Sequence, residues 1–344
     1  MGKAIETIGK IMAEPLNEGR KKDFRPYRIS LEKTYPVPVF SLFYKEQTGT
    51  LPLGDIAAIK GKAKQGKSAF SAILAASVLG CKDFGFSVNP TIKDPSVFYF
   101  DTEQSDENAS SWAKNVYKLK GWLEKDNENK DFMRDRENFQ IYTLRGLVTP
   151  KEKFESISDT IEKEKPTVAI IDGAVDLVTD FNNIAESSEV IGRLLRLASD
   201  NQCSIICCLH TNKGKEDSNM RGHLGSYLVQ KATDVFEVKH EGRTFTAEQT
   251  ECRNKPLSEK IPFIRDNENE GTLRPTEGKT ESDKKLLKKL FGEDTELRST
   301  DLVKRIREEK GYKDDRQAKN LINGWKKENL ISKGEGRFGK YRLM

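Results

Sequence analysis

From about residue 54 the hydrophobic positions switch repeatedly between two periods. Short uninterrupted apolar runs (Ile56–Lys60, Ser96–Phe100, Asn138–Leu144, Thr167–Asp172, Cys203–His210) alternate with stretches whose apolar residues recur every three or four positions. The second kind covers Ser68–Gly80 (Phe70, Ile73, Leu74, Val78), a helix through Ala109, Trp112, Ala113 and Val116, Glu152–Lys163 with Phe154, Ile157 and Ile161 inward, and Glu189–Ser199. Apolar runs without polar alternation predict strands buried on both faces, hence a parallel sheet covered by helices. Asp234–Val238, Phe245–Thr250 and Ile261–Arg265 read as meander strands that extend this sheet.

The two ends read differently. Pro26, Pro36 and Pro38 break any long helix in residues 1–45, which predicts an arm with an extended segment near Val37–Phe43. Residues 125–135 are polar and Asn-rich, a surface insertion. Residues 266–283 hold almost no apolar positions and read as a linker. The expected organisation is thus an arm (1–45), an α/β domain (46–265), a linker (266–283) and a small C-terminal domain (284–344).

Composition narrows the class. No run approaches 18 apolar residues, so no membrane span is expected, and the first 20 residues lack the apolar stretch of a signal peptide. The five cysteines form no CxxC pair and only three histidines are present, which speaks against a disulfide scaffold or a zinc site and for a reducing cytoplasm. The net charge of +5 is unevenly spread. Residues 281–344 hold 18 Lys+Arg against 12 Asp+Glu, and residues 1–50 hold 9 against 6, so the remaining middle is net acidic. Basic ends suit a polyanionic partner.

The chemistry concentrates after the first buried strand. Gly61, Lys62, Ala63, Lys64, Gln65, Gly66, Lys67 and Ser68 fit G-x-x-x-x-G-K-[ST] between a strand and a helix, the context of a phosphate-binding loop. Backbone N–H groups there face phosphates at a helix N-terminus, Lys67 neutralises β/γ oxygens, and the Ser68 hydroxyl ligates Mg²⁺. ATP and Mg²⁺ are the expected ligands. Asp172 ends an apolar strand and would supply the second acid on the magnesium side, or would cap a turn. Asp101 and Glu103 both leave a strand at the same sheet edge and are both candidates for the base that positions water; Glu103 is preferred. His210, at another strand end, either senses the terminal phosphate or is a hydrogen-bonded strand terminus.

In order, GKAKQGKS, FYFDTEQS, VAIID and IICCLHTNKG resemble the RecA-like ATPases of the DnaB/RepA hexameric helicase type, with AAA-family ATPases of mobile elements among them. The resemblance covers about residues 40–265. It implies Glu103 as catalytic carboxylate, Asp172 as magnesium-side acid, His210 as sensor, and hydrolysis that depends on a ring, a hexamer in the family. It also implies a finger reaching a neighbour's nucleotide from Glu251-Cys252-Arg253-Asn254-Lys255. Arg253 keeps the family's arginine, whereas Glu251 stands where a lysine is expected, so the finger would be Arg253 or Lys255, or Arg253 is a surface residue on a hairpin. The loop after His210, with Lys213, Lys215 and Arg221, would line the pore and track single-stranded DNA, or is a solvated charged loop.

Residues 284–344 resemble a winged helix. Leu286, Leu287, Leu290 and Phe291 mark one helix, Leu302, Val303 and Ile306 a second with Ser299 or Thr300 as its cap, and Ala318, Leu321, Ile322 and Trp325 a third. A wing follows, with Tyr341 and Leu343 facing in. Arg316, Lys319 and Lys326 on the third helix, with Arg337 and Lys340 in the wing, would hold duplex DNA; a protein-binding module is the other reading. The expected fold is therefore an α/β, RecA-like P-loop NTPase core with a small C-terminal winged-helix domain. The expected function is ATP-driven work on DNA, as a replicative-type ring helicase or helicase loader of a mobile element or plasmid. The competing expectation is a non-translocating, KaiC- or RadA-like DNA-binding ATPase that acts as a switch or recombination accessory.

Overall fold

The computed structural model describes residues 28–34, 37–211, 220, 222–266, 270–277, 279–327, 330–333 and 340–344. The chain divides after Pro38, and all elements named below lie in the second unit. Strands β1 (Phe40–Tyr44) and β2 (Thr48–Pro52) form a hairpin, and β1 also pairs with β4 (Phe86–Val88). Phe40–Tyr44, read from the sequence as the end of an arm, is thus part of a small sheet. Between β2 and β4 come β3 (Ile56–Gly61) and α1 (Lys67–Val78). Then follow β5 (Val97–Asp101), α2 (Asp106–Lys120), and the short hairpin β6 (Glu124–Lys125) and β7 (Asp131–Phe132), which is the Asn-rich insertion. Strand β8 (Phe139–Thr143), α3 (Pro150–Glu164), β9 (Val168–Asp172), α4 (Ile184–Asn201), β10 (Ser204–His210) and α5 (Gly222–Lys231) complete the alternating part.

Strands β11 (Asp234–Glu241), β12 (Thr244–Cys252), β13 (Ile261–Asp266) and β14 (Thr272–Pro275) then run as an antiparallel meander. Among the described residues the principal sheet has nine strands in the order β14-β13-β12-β11-β3-β10-β9-β5-β8. The pairs from β8 through β11 are parallel. Strand β14 lies inside the stretch read as a linker. It pairs there because Leu273 supplies one buried apolar side chain, a signal too sparse to register as a strand.

Strands β3, β5, β9 and β10 are buried along nearly their whole length because helices cover both faces. One face carries the core of α1 and α2 (Phe70, Ile73, Trp112, Val116), the other that of α3, α4 and α5 (Phe154, Ile161, Leu194, Leu228). Helix α3 begins with Pro150 after Thr149, whose hydroxyl and Glu152 form a capping box, a start worth about 1 kcal/mol. Parallel strands alternating with helices bring all their C-terminal ends to one edge, and the loops that leave this edge carry the candidate chemistry.

Helices α6 (Lys279–Phe291), α7 (Ser299–Lys310) and α8 (Asp315–Lys327) pack with β15 (Leu297–Arg298), β16 (Ile331–Lys333) and β17 (Lys340–Leu343) around a core of their own. Trp325, Leu302, Ile306 and Phe291 are its centre. Their small sheet runs β15-β17-β16. Two sequence expectations change. Helix α7 starts at Ser299 with Arg298 as its cap residue, and no side chain bonds the helix end. Tyr341 faces in, but Leu343, at the end of β17 opposite Ile331, is 39% exposed. No helix among the described residues is long and apolar enough to cross a membrane.

Candidate active site

The glycine-rich loop is the turn from β3 into α1. Gly61 ends β3 in register with His210 of β10, and the chain turns through Lys64 (φ 61°) and Gly66 (φ 95°). Gly66 caps α1 without a side-chain bond, and no acid stands in the first turn. Thr149 and Asn183, by contrast, close the starts of α3 and α4 with side-chain oxygens. The positive end of α1 is thus left without a side-chain acceptor, a feature suited to a phosphate. A Cβ at position 66 would stand 2.5 Å from Phe245 Cδ1, so the β11–β12 hairpin closes directly against the loop. Gln65 ties the two together by accepting a hydrogen bond from the His240 backbone N–H at 2.6 Å.

Lys67 is buried, and its ammonium donates to the carbonyls of Gly61 (3.2 Å) and Lys62 (3.4 Å) and to His210 Nδ1 (2.9 Å). An ammonium only donates, so Nδ1 is the acceptor and His210 carries its proton on Nε2 in this arrangement. Burial pulls the Lys67 pKa below the ordinary lysine value, against the attraction of Cys208, Asp172 and Glu103. The next residue, Ser68, donates from Oγ to Asp172 Oδ2 at 3.1 Å.

The geometry separates the two acids that leave β5. Asp101 is fully buried. Its Oδ1 accepts the backbone N–H groups of Glu103 (3.1 Å) and Gln104 (2.8 Å), and its Oδ2 accepts from the Tyr99 hydroxyl (3.2 Å). Asp101 is therefore committed to holding the turn. Glu103 rises from that turn into the cleft. It is exposed at the rim, yet its carboxyl is partly shielded, and this loss of water raises its pKa. Asp176, Asp172 and Asp101 push in the same direction, and Lys67 opposes them. The turn depends on Gly173, which follows Asp172 with φ 98°. A Cβ there would stand 2.2 Å from Thr102 Oγ1 and 2.8 Å from Glu103 Cγ.

Lys67, Ser68, Glu103, Asp172 and His210 line one cleft of about 380 Å³, together with Lys64, Gly66, Gln104, Phe245 and Arg265. Sequence reasoning missed the last three. Phe245 and Arg265 sit on meander strands, where alternation gives the face but not what that face looks upon. Arg265 donates to Asn115 Oδ1 at 3.4 Å, and burial lowers its pKa.

Arg253 lies elsewhere. It follows Cys252, which pairs with Asp234 at the sheet end remote from the loop, and its guanidinium donates to the Gln230 carbonyl at 2.6 Å. Eight residues of strand separate it from Phe245, roughly 26 Å at about 3.3 Å per residue. Lys213, Lys215, Arg221 and Arg337 lie outside the described residues. Arg316 and Lys319 are exposed on α8, with Lys319 only 3.9 Å from Asp315 in a surface pair. Lys326 instead lies over the Tyr341 ring at 4.8 Å, and Lys340 pairs with Glu296 at 3.1 Å.

Sheet, loop and converging acids define the class, a P-loop nucleoside-triphosphatase core of mixed α/β type. Residues 46–216 match the model of a family described as an AAA domain. No curated protein matches the chain. The matched stretch contains the loop, Glu103, Asp172 and His210, and it carries a P-loop ATPase domain; β11–β14, Arg253 and the C-terminal module lie outside it. The residues present also fit magnesium, the usual companion of such a site. Ser68 Oγ and Asp172 Oδ2 are hard oxygen donors 3.1 Å apart, and Mg²⁺ commonly takes one or two protein oxygens with water and phosphate completing its shell. Among the described residues there is no cluster of three or more His, Cys, Asp or Glu that would make an all-protein metal cage.

Proposed function

We propose that this protein is an ATP-driven motor or loader acting on DNA, built as a ring of RecA-like subunits of the DnaB/RepA type, each with a C-terminal winged-helix module for duplex. The observation that carries the reading is the split of the site. Glu103, Asp172, Lys67, Ser68 and His210 converge on one cleft, whereas Arg253 lies past the end of β12 remote from Phe245 and donates to the Gln230 carbonyl. An arginine placed there is absent from the cleft of its own subunit, which suits a finger that serves a neighbour's nucleotide.

In this reading the loop N–H groups and Lys67 hold the β- and γ-phosphates. Ser68 and Asp172 would hold magnesium, which would supply positive charge to the phosphate oxygens. Glu103 orients a water in line with the γ-phosphorus and accepts its proton as the new O–P bond forms and the bond to the ADP oxygen breaks. His210, now held by Lys67, reports the terminal phosphate to the loop that follows β10. That loop, with Lys213, Lys215 and Arg221, would follow single-stranded DNA through the pore, and Arg316 and Lys319 would hold duplex phosphates. Arg337 would add to them from the wing. Lys326 and Lys340 are assigned weaker parts, since Tyr341 and Glu296 already engage them.

Strand displacement on forked DNA, with ATP turnover followed alongside, tests the proposal. Unwinding that needs ATP and an oligomer supports the motor. DNA-stimulated turnover without displacement would favour the switch or recombination accessory. Turnover indifferent to DNA would overturn both.

A further inference from the structure

Beneath the cleft floor, β5 and β9 run in parallel register with Asp101 opposite Asp172, so two carboxylates stand side by side. Tyr99, two residues before Asp101 and hence on the same face of β5, sends its hydroxyl between them. The oxygen lies 2.9 Å from Asp172 Oδ2 and 3.2 Å from Asp101 Oδ2. The ring is wholly buried and stacked on Trp112 at 3.7 Å with planes 12° apart. The Trp112 indole N–H in turn donates to Ser71 of α1 at 3.0 Å. The tyrosine is clamped, and the freedom left to it is rotation of its O–H bond.

A phenol carries one proton, so it serves one of these carboxylates at a time. The two acids have different tasks. Asp172 faces Ser68 and the cation side of the cleft, and Asp101 holds the backbone N–H groups that fix the Glu103 turn. We propose that Tyr99 is a positioning residue that couples these two sides, donating to Asp172 in the resting cleft and to Asp101 once Asp172 is engaged by magnesium–nucleotide. Binding on the cation side then strengthens the anchor of the turn that carries the water-orienting glutamate. This inference rests on the reading of the cleft given above.

Two substitutions in the full chain move the coupling in opposite directions. Tyr99→Phe keeps the ring and its stacking but removes the donor, which leaves Asp172 without that hydrogen bond and Asp101 less firmly held. Asp101→Asn keeps an oxygen for the two backbone N–H groups and turns an NH₂ toward Tyr99, so the phenol is forced to donate to Asp172 permanently. The reading is the gain in affinity for a fluorescent ATP analogue when Mg²⁺ is added, measured by anisotropy. Hydrogen bonds to charged groups imply a change of about tenfold in that gain, upward in Tyr99→Phe and downward in Asp101→Asn. Turnover in Tyr99→Phe should nevertheless fall, because the Glu103 turn is loosened. A gain unchanged in both variants, or shifted the same way in both, overturns the coupling and leaves Tyr99 a packing residue. A wild-type chain whose nucleotide affinity ignores Mg²⁺, or a Lys67→Ala chain that binds as well as wild type, overturns instead the reading on which the coupling rests. If Asp101→Asn does not fold, Tyr99→Phe decides through both readings: a raised gain with a lowered turnover supports the coupling, and a raised gain with wild-type turnover overturns it.

Discussion

Gly173→Ala places the whole argument on one methyl group. The residue follows Asp172 and adopts φ 98°, a conformation that costs an L-residue about 1–2 kcal/mol. The new Cβ would stand 2.2 Å from Thr102 Oγ1, so that hydroxyl must move. It now lies 3.1 Å from the Asp172 carbonyl and 2.9 Å from that of Gly173, and loss of this bonding costs about 1 kcal/mol more. The fold should therefore lose about 2–3 kcal/mol, which at this chain size lowers Tm by a few degrees, on the order of 3–4 °C. The functional effect is larger. The same Cβ would sit 2.8 Å from Glu103 Cγ, and a carboxylate pushed by about an ångström from its reacting position costs on the order of 100-fold in turnover. The phosphate loop is untouched, so nucleotide affinity should stay at the wild-type level. Calorimetry or thermal fluorescence gives Tm, anisotropy gives affinity, and phosphate release gives kcat. An alanine variant that hydrolyses ATP at the wild-type rate would show that the Glu103 turn does not orient the attacking water.

Five further outcomes are expected. Lys67→Ala should abolish detectable nucleotide binding and lower phosphate release by at least about 100-fold; unchanged turnover would refute the phosphate site. Glu103→Gln should keep ATP bound and unhydrolysed. In the wild-type protein the acid limb of kcat/KM should lie above the ordinary glutamate value of 4.5, because burial and the neighbouring acids raise this carboxyl in the free enzyme and its protonated form accepts no proton; activity is therefore lost as pH falls through that raised value, and a limb at or below 4.5 speaks against Glu103 as the base. Arg253→Ala should bind nucleotide normally yet lose about 1,000-fold in turnover, and mixing it with Lys67→Ala subunits should restore part of the activity, since each supplies what the other lacks; full activity in the single variant would exclude Arg253 as the finger. Lys319→Ala should weaken duplex binding about equally for all sequences and reduce the salt slope by about 1, as judged by anisotropy titrations over a salt series.

The alternation of buried runs and helical stretches was sufficient to lay out β3, β5, β8, β9 and β10 with their helices, because strands buried on both faces leave unbroken apolar runs that few other structures produce. The phosphate loop was equally legible, since its residue types are fixed by the phosphates it faces. What stayed hidden lacked a local signature. Strand β14 buries one leucine, and for β1 the sequence predicts an extended segment but not its pairing with β2 and β4. The division of labour between Asp101 and Glu103 follows from which of them meets backbone N–H groups, a matter of three dimensions. Tyr99, Gly173, Phe245 and Arg265 acquire their roles from partners on other strands, and spacing along the chain does not encode those partners. Leu343 shows the converse error. Strand alternation places it on the face of Tyr341, yet at the end of β17 it stays 39% exposed.

The resting arrangement of Lys67 bears on how the site would work. Its three donors are already directed to Gly61, Lys62 and His210, so a triphosphate enters by exchanging those bonds and finds no idle charge waiting for it. Each exchanged bond lowers the net gain from binding, and one of them, to His210, lies at the end of β10, next to Thr211 and the loop that follows. In the proposed cycle nucleotide entry therefore frees His210 Nδ1 by the same act that engages Lys67, and no separate sensor movement is required. Hydrolysis and phosphate release return the lysine to the histidine. In that cycle the bond at 2.9 Å between Lys67 and His210 would link the state of the nucleotide to the residues that follow β10, and the proposal predicts that His210→Ala should bind ATP at least as tightly as wild type while losing the stimulation of turnover by single-stranded DNA.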